Sequence, residues 1–319
     1  MPKTNATNNR AKGSKYDEFY TPLAMVEKEM KFYKNKFKDK VIYCNCDDAR
    51  VSNFFKYFAY SFEFLGLKKL IATSYKKDGN GTYFCYEGDN NGNRIVDEEE
   101  ITVTELSGDG SFSSDECLEI LKEADLIITN PPFSLFRDYI KTLIENKKDF
   151  LIIGNLNAAT DKEIFPYIIN GQMWLGVSMN GNQQSTFIVP DDYKDTNSKV
   201  QMIDGVMRNT TIINTASWFT NLPHKKRNEP LDLYRKYTPE EYPTYDNYDA
   251  IHVKAVADIP EDYPGKMGVP ISFLGKYCPE QFELLGEANH GCDNEYDLFA
   301  PVLDGAAKYA RLIIKNKNL

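Results

Sequence analysis

Apolar positions change their spacing along the chain, and the change divides it into two kinds of region. In residues 23–37, Val26, Met30, Tyr33 and Phe37 recur at helical spacing, and the apolar run Val41–Cys46 then predicts a short buried strand. Ser52 is placed to cap the next helix, where Phe54, Phe55, Phe58, Phe62 and Leu65 make one apolar face that ends at Gly66. Leu70–Thr73 predicts a second strand. Residues 82–105 read as a hairpin, Tyr83–Tyr86 and Ile101–Leu106 flanking a Gly/Asn-rich turn at 88–93, with only its second strand needed in the main sheet. Ser113 and Glu116 have the spacing of a capping box for a helix running to Ala124, and Asp125–Thr129 is an apolar strand that stops at Asn130-Pro131-Pro132. A further helix is expected to bury Leu135, Phe136, Tyr139, Ile140, Leu143 and Ile144, with Phe150–Gly154 as a fifth strand.

Strand and helix thus alternate through the first half, the pattern of a parallel, doubly wound α/β sheet. From about residue 170 the rhythm changes. Met173–Val177, Thr186–Val189 and Thr210–Thr220 predict strands with no helix-length segment between them, which would make an antiparallel edge. After about 228, proline and tyrosine become dense. These shifts delimit a polar tail over 1–16, a main domain over 17–228 and a smaller, loop-rich region over 229–319.

The 319 residues carry a net charge of −9, which argues against diffuse attraction to nucleic acid, because neutralised phosphates supply that affinity. Any nucleic-acid reading therefore needs local basic patches. Lys28, Lys31, Lys34, Lys36, Lys38 and Lys40 crowd one early helix and its exit, and His224-Lys225-Lys226-Arg227 forms a compact run that is the better candidate for DNA contact. The polar start and the lack of any long apolar run lead us to expect a cytoplasmic protein that does not span a membrane. The six cysteines are irregularly spaced and are expected as reduced thiols, and no metal site is expected: Cys44-Asn45-Cys46 is too closely spaced for a zinc knuckle, and His290 with Cys292 and the distant Cys278, which could bind a metal, is the weaker reading.

The strongest chemical signal is Asn130-Pro131-Pro132-Phe133 at the carboxyl end of a strand, where open α/β sheets bind their ligands. The exocyclic amine of adenine is a poor nucleophile because its lone pair is delocalised into the ring. Two acceptors, the Asn130 side-chain oxygen and the Pro131 carbonyl, suit the task of drawing that nitrogen toward tetrahedral geometry. Pro131 and Pro132 stiffen the turn, and Phe133 offers a face for an extruded base. Cys46-Asp47 precedes a helix N-terminus suited to an anionic group, although the glycines usual in such turns are missing.

With these segments in place the chain resembles the EcoRI-type family of adenine-specific DNA methyltransferases. The resemblance rests on Asp17-Glu18-Phe19-Tyr20-Thr21-Pro22, on residues 123–136 around the Asn-Pro-Pro-Phe turn, and on Trp218-Phe219-Thr220-Asn221-Leu222. It continues in Tyr245-Asp246-Asn247-Tyr248-Asp249-Ala250-Ile251 and Met267-Gly268-Val269-Pro270-Ile271-Ser272-Phe273-Leu274. It implies a class I, Rossmann-like, mostly parallel seven-stranded sheet, with residues 17–228 as catalytic domain and 229–319 as DNA-recognition region. S-adenosylmethionine would be the cofactor and double-stranded DNA the partner. Tyr20, Thr21, Pro22, Cys46 and Asp47 would lie at the cofactor's methionine end, Asp109 and Phe112 near its adenine, and Asn130 beside both substrates. The second strand ends Thr73-Ser74-Tyr75, where many methyltransferases place an acidic residue on the ribose. A monomer is expected, and a cognate restriction endonuclease would act separately. The alternatives are methylation of an RNA base or a protein glutamine and, in another class, a non-catalytic DNA-binding regulator whose expected mark, a damaged Asn-Pro-Pro-Phe turn, is missing.

Overall fold

Strand-forming apolar runs and intervening amphipathic helices organise the chain into two compact units in a computed structural model that describes residues 19–180, 184–193, 198–288 and 300–319. The first unit takes in residues up to Gly154 and Gln183–Leu222, the second Asn155–Asn182 and Pro223–Leu319. Asp17, Glu18, His290 and Cys292 lie outside the described residues.

In the first unit, α1 (Leu23–Met30) leads into β1 (Val41–Asn45), α2 (Asn53–Tyr60), α3 (Phe62–Leu65), β2 (Lys69–Ser74), β3 (Thr82–Tyr86) and β4 (Ile101–Glu105). Then come α4 (Asp115–Glu123), β5 (Leu126–Thr129), α5 (Phe136–Glu145) and β6 (Asp149–Asn155). After β7 (Trp174–Asn180), which belongs to the second unit, follow β8 (Thr186–Ile188), β9 (Lys199–Ile203), β10 (Val206–Ile212) and β11 (Ala216–Thr220). The strands of this unit that form its central sheet run in the order β4-β3-β2-β1-β5-β6-β11. The β1–β2, β1–β5 and β5–β6 pairs are parallel. Adjacent parallel strands at the sheet centre are buried along their length, as their unbroken apolar runs require.

Several expectations are corrected in detail. The helix over 23–37 ends at Met30, after which a turn and a 3-10 segment at Lys34–Lys36 keep Tyr33 and Phe37 as buried as Val26 and Met30. Both hairpin strands join the sheet: β3 pairs antiparallel with β2, and β4 is the outermost strand. Ser114 rather than Ser113 caps α4, accepting from the Cys117 N–H at 3.2 Å. Glu116 instead reaches back to the Ser107 and Gly108 N–H groups at 2.9 and 3.3 Å. Leu135 precedes α5 and is exposed. Thr210–Thr220 is not one strand. A turn closed by the Ala216 N–H on the Ile213 carbonyl splits it, so β10 pairs with β8 and β9 in a separate antiparallel sheet while β11 enters the central one.

In the second unit a four-stranded sheet is formed by β12 (Ile251–His252), β13 (Met267–Pro270), β14 (Phe282–Ala288) and the C-terminal strand Arg311–Asn316. Tyr245 packs so closely on Gly268 that a β-carbon there would lie 2.5 Å from its ring. Among the described residues no helix is long and apolar enough to cross a membrane.

Candidate active site

The carboxyl ends of β1, β2 and β5 open on a cavity of about 640 Å³ within the first unit, a volume suited to a nucleoside-sized ligand. Tyr20, Thr21, Cys46, Asp47, Asp109, Phe112 and Asn130, seven of the residues singled out from sequence, line it together. Pro132 lines it as well, while Pro131 is buried in the same turn and Phe133 is half-buried beyond it. Pro22 is buried as the residue that precedes α1.

On one side the wall is the turn after β1. Cys46 adopts a left-handed backbone with φ 64°, a conformation that a β-carbon disfavours and that glycine would supply without strain. The turn therefore keeps the expected shape without the expected residue. Asp47 follows, its N–H on the Thr73 carbonyl at 3.0 Å. Burial pushes its carboxyl up to about 7, and neighbouring Asp48 adds to the rise. Bonds from the Thr129 and Ser52 hydroxyls oppose it. Asp48 is itself clamped by Arg50, whose Nε and Nη2 each donate at 2.8 Å. Ser52 caps α2 as its sequence position predicts, accepting from the Phe54 and Phe55 N–H groups at 3.1 and 3.3 Å.

The opposite wall is the loop after β4. Gly110 has φ 77°, and the Lys76 N–H donates to the Asp109 carbonyl at 2.8 Å, so this loop lies directly against the end of β2. The Asp109 carboxylate accepts from the Ser111 N–H at 2.9 Å. Phe112 stands edge-on against Tyr139 with centroids 5.0 Å apart, which fixes its ring at the cavity margin. Ser74 is occupied by the Thr82 N–H at 3.2 Å, and Tyr75 stands exposed at the rim.

At the floor, Asn130 donates from Nδ2 to the Phe19 carbonyl at 2.5 Å. A carbonyl can only accept, so this bond fixes which end of the amide points where. The other end, Oδ1, is buried with no hydrogen-bond partner among the described residues. An unsatisfied buried acceptor costs free energy unless a ligand supplies a donor. Thr21 Oγ1, on the cavity wall, is unpartnered in the same way. Phe19 also lays its ring 5.5 Å from Phe133 and near Phe187 and Tyr193, so the turn is bordered by aromatic faces. Sequence reasoning placed Phe19 in a motif without giving it a task. The bond that gives it one spans 111 residues and leaves no local signal.

The basic run is in the second unit and divides by role. His224 is half-buried with Nε2 2.9 Å from the Leu175 carbonyl, and burial lowers its pKa. Arg227 sets its guanidinium carbon over Trp174, 3.7 Å from the ring centroid. Lys225 and Lys226 are exposed.

The model of the family described as adenine-specific methyltransferase EcoRI matches residues 7–317. The chain is 48% identical to the type II methyltransferase M.EcoRI of Escherichia coli, over 99% of this chain and 98% of the relative. It is 39% identical to M.MgeORF184P of Mycoplasma genitalium and to M.MpnI of Mycoplasma pneumoniae, both type II methyltransferases, each over 87% of this chain and 84% of the relative. No solved structure matches significantly. With an intact Asn-Pro-Pro-Phe turn lining its cavity and likeness along nearly its whole length, the chain belongs to the EcoRI family of adenine-specific methyltransferases.

Proposed function

We propose that the protein methylates N6 of a specific adenine in duplex DNA from S-adenosylmethionine, with the cofactor held in the cavity between the Cys46-Asp47 turn and the Asp109–Phe112 loop. The observation that carries this reading is the buried Oδ1 of Asn130, whose amide is held through Nδ2 by Phe19 and which has no donor among the described residues. The cavity fits the cofactor. It offers an unpartnered hydroxyl on Thr21, a carboxyl on Asp47 and the start of α2 on one side, and the Phe112 and Tyr75 rings on the other. In that place the cofactor supplies an electrophilic methyl group on a sulfonium.

The chain's own residues then prepare the nucleophile. Asn130 Oδ1 accepts one N–H of the adenine amine and the Pro131 carbonyl accepts the other, drawing the lone pair out of the ring. The amine would become strongly acidic only as the methyl arrives, passing its proton to water while the sulfonium is left as a neutral thioether, so no base of unusual pKa is required. In a duplex that amine is paired to thymine, so the base leaves the helix and stacks on Phe133. The sheet is read as a class I methyltransferase fold. Residues 17–228 act as catalytic domain and 229–319 as the smaller DNA-recognition region, with Lys225 and Lys226 meeting phosphate. The compact unit that holds this recognition region also takes in 155–182. The enzyme acts as a monomer in the cytoplasm, beside any cognate endonuclease.

Labelled methyl transfer to unmethylated genomic DNA, to total RNA and to protein tests the assignment. Label in DNA recovered as N6-methyladenine supports it. Label confined to RNA or protein overturns it.

A further inference from the structure

The ends of β1, β2 and β5 meet beneath the cavity, and one hydroxyl at the end of β5 reaches the turn after β1. Thr129 is the last residue of β5, fully buried, and the residue before Asn130. Its single hydroxyl proton faces two acceptors, Asp47 Oδ2 at 2.7 Å and the Asn45 carbonyl, and is shared between them. Asn45 is tied in turn to β2, since Thr73 Oγ1 donates to its Oδ1 at 3.3 Å, and Tyr43 OH lies 2.7 Å from that same Thr73 oxygen. On its other side Asp47 faces Ser52, the cap of α2, whose hydroxyl helps to lower its pKa. A continuous polar chain thus runs from the start of α2 through Asp47 and Thr129 to the residue that carries the target-facing amide.

The β1–β5 pairing alone does not hold this end of β5. Its register is Ile42 with Leu126 and Tyr43 with Ile127, and it stops two residues short of Thr129. Beyond it, the hydroxyl connects the end of β5 to the turn after β1. Asp47 is on the cavity wall and Thr129 is behind it, so a ligand that draws on the Asp47 carboxyl acts on Thr129 and through it on Asn130.

We propose that Thr129 is a positioning residue that couples the cofactor wall to the catalytic turn, so that Asp47 governs the rate of methyl transfer as well as cofactor affinity. This rests on the function proposed above. It asks that a side chain touching neither substrate alter the chemical step.

The test uses the full chain, unmethylated genomic DNA and saturating S-adenosylmethionine, with single-turnover methylation as one readout and calorimetric cofactor affinity as the other. Thr129→Val keeps the shape and removes the hydroxyl. It should lower the rate about tenfold or more at saturating cofactor, and Thr129→Ser should restore it toward the parent. Asp47→Asn should also lower the rate at saturation, and the double variant should lose no more than the worse single one, the mark of residues acting in one chain. A parental rate for Thr129→Val, or losses that multiply in the double variant, would overturn the coupling. If Thr129→Val does not fold by thermal melting, Asp47→Asn decides: an effect on affinity alone, with a parental rate at saturation, overturns the proposal. Asn130→Ala separates the two levels. If it stays active the proposed function fails, and if it is inactive while Thr129→Val is parental only the coupling fails.

Discussion

Gly110 sets its bare α-carbon against the carbonyl oxygen of Ser74, so closely that a β-carbon there would lie 2.2 Å from it. The contact joins the loop after β4 to the end of β2, and it forms one side of the cavity. No heavy atom lies within 4 Å of a β-carbon built at Gly108, two residues earlier.

The pair makes a controlled comparison. Gly110→Ala meets backbone and a positive φ, so it should destabilise by about 1–3 kcal/mol and weaken cofactor binding, whereas Gly108→Ala should change neither appreciably. Thermal melting beside cofactor titration checks both. Equal behaviour of the two variants would contradict the close approach.

If it faces the cofactor as proposed, Asp47 should make cofactor binding depend on pH. Its carboxyl is pushed up to about 7 by burial. The neighbouring Cys46 thiol and Tyr139 phenol are held neutral by burial, and Asp48 is paired with Arg50. The cationic methionine end of the cofactor favours the ionised carboxyl, so binding releases a proton and affinity should rise as pH climbs from about 6 to about 8. Folding of the unliganded chain responds in the opposite sense. The folded state holds this proton above the ordinary value of 3.8, so the contribution is complete below about 4 and lost as pH rises through about 7. Asp47→Asn should flatten the affinity profile, and a profile that keeps its slope would assign the titration to another group.

Much of the sheet was legible because each of its central strands is an unbroken apolar run and each helix carries one apolar face. The sequence failed where a long-range contact or a turn decided the outcome. Nothing in the local pattern marks the bond from Asn130 to Phe19 or the one from Thr129 to Asp47, which span 111 and 82 residues. The turn at Cys46 was hidden for a different reason: a non-glycine residue takes the left-handed backbone, so the usual compositional sign was missing. The run Thr210–Thr220 kept its strand-forming character across a turn, and only pairing with two different sheets revealed the break. Likewise the run 224–227 shows four basic residues, but not that two of them are spent on Leu175 and Trp174.

That division predicts different consequences within the run. Lys225→Ala with Lys226→Ala should leave the melting temperature near the parent and reduce the logarithmic salt slope of DNA binding by about 1.8, one increment per lost phosphate contact. Arg227→Ala should instead lower the melting temperature, because it removes the guanidinium from the Trp174 face. An unchanged slope in the double lysine variant would mean that neither side chain meets phosphate.

Phe133 should matter through its ring face. Stacking returns about 1–3 kcal/mol of the cost of extruding a base. Phe133→Tyr should retain much activity, and Phe133→Ala should lose it and recover in part when the target adenine is mispaired. 2-Aminopurine at the target position reports the extrusion by increased fluorescence. An alanine variant that extrudes and methylates a matched duplex like the parent would make Phe133 a packing partner of Phe19 only.

The proposed action of Asn130 Oδ1 on the adenine amine rests on an amide held by Phe19 whose oxygen meets no donor among the described residues. The most direct measurement is single-turnover methylation by Asn130→Ala at saturating S-adenosylmethionine, read beside calorimetric cofactor affinity. Removing one preorganised acceptor should cut the rate by about 10²-fold or more while affinity stays within a few fold. A parental rate, or a loss found entirely in cofactor affinity, would contradict the account.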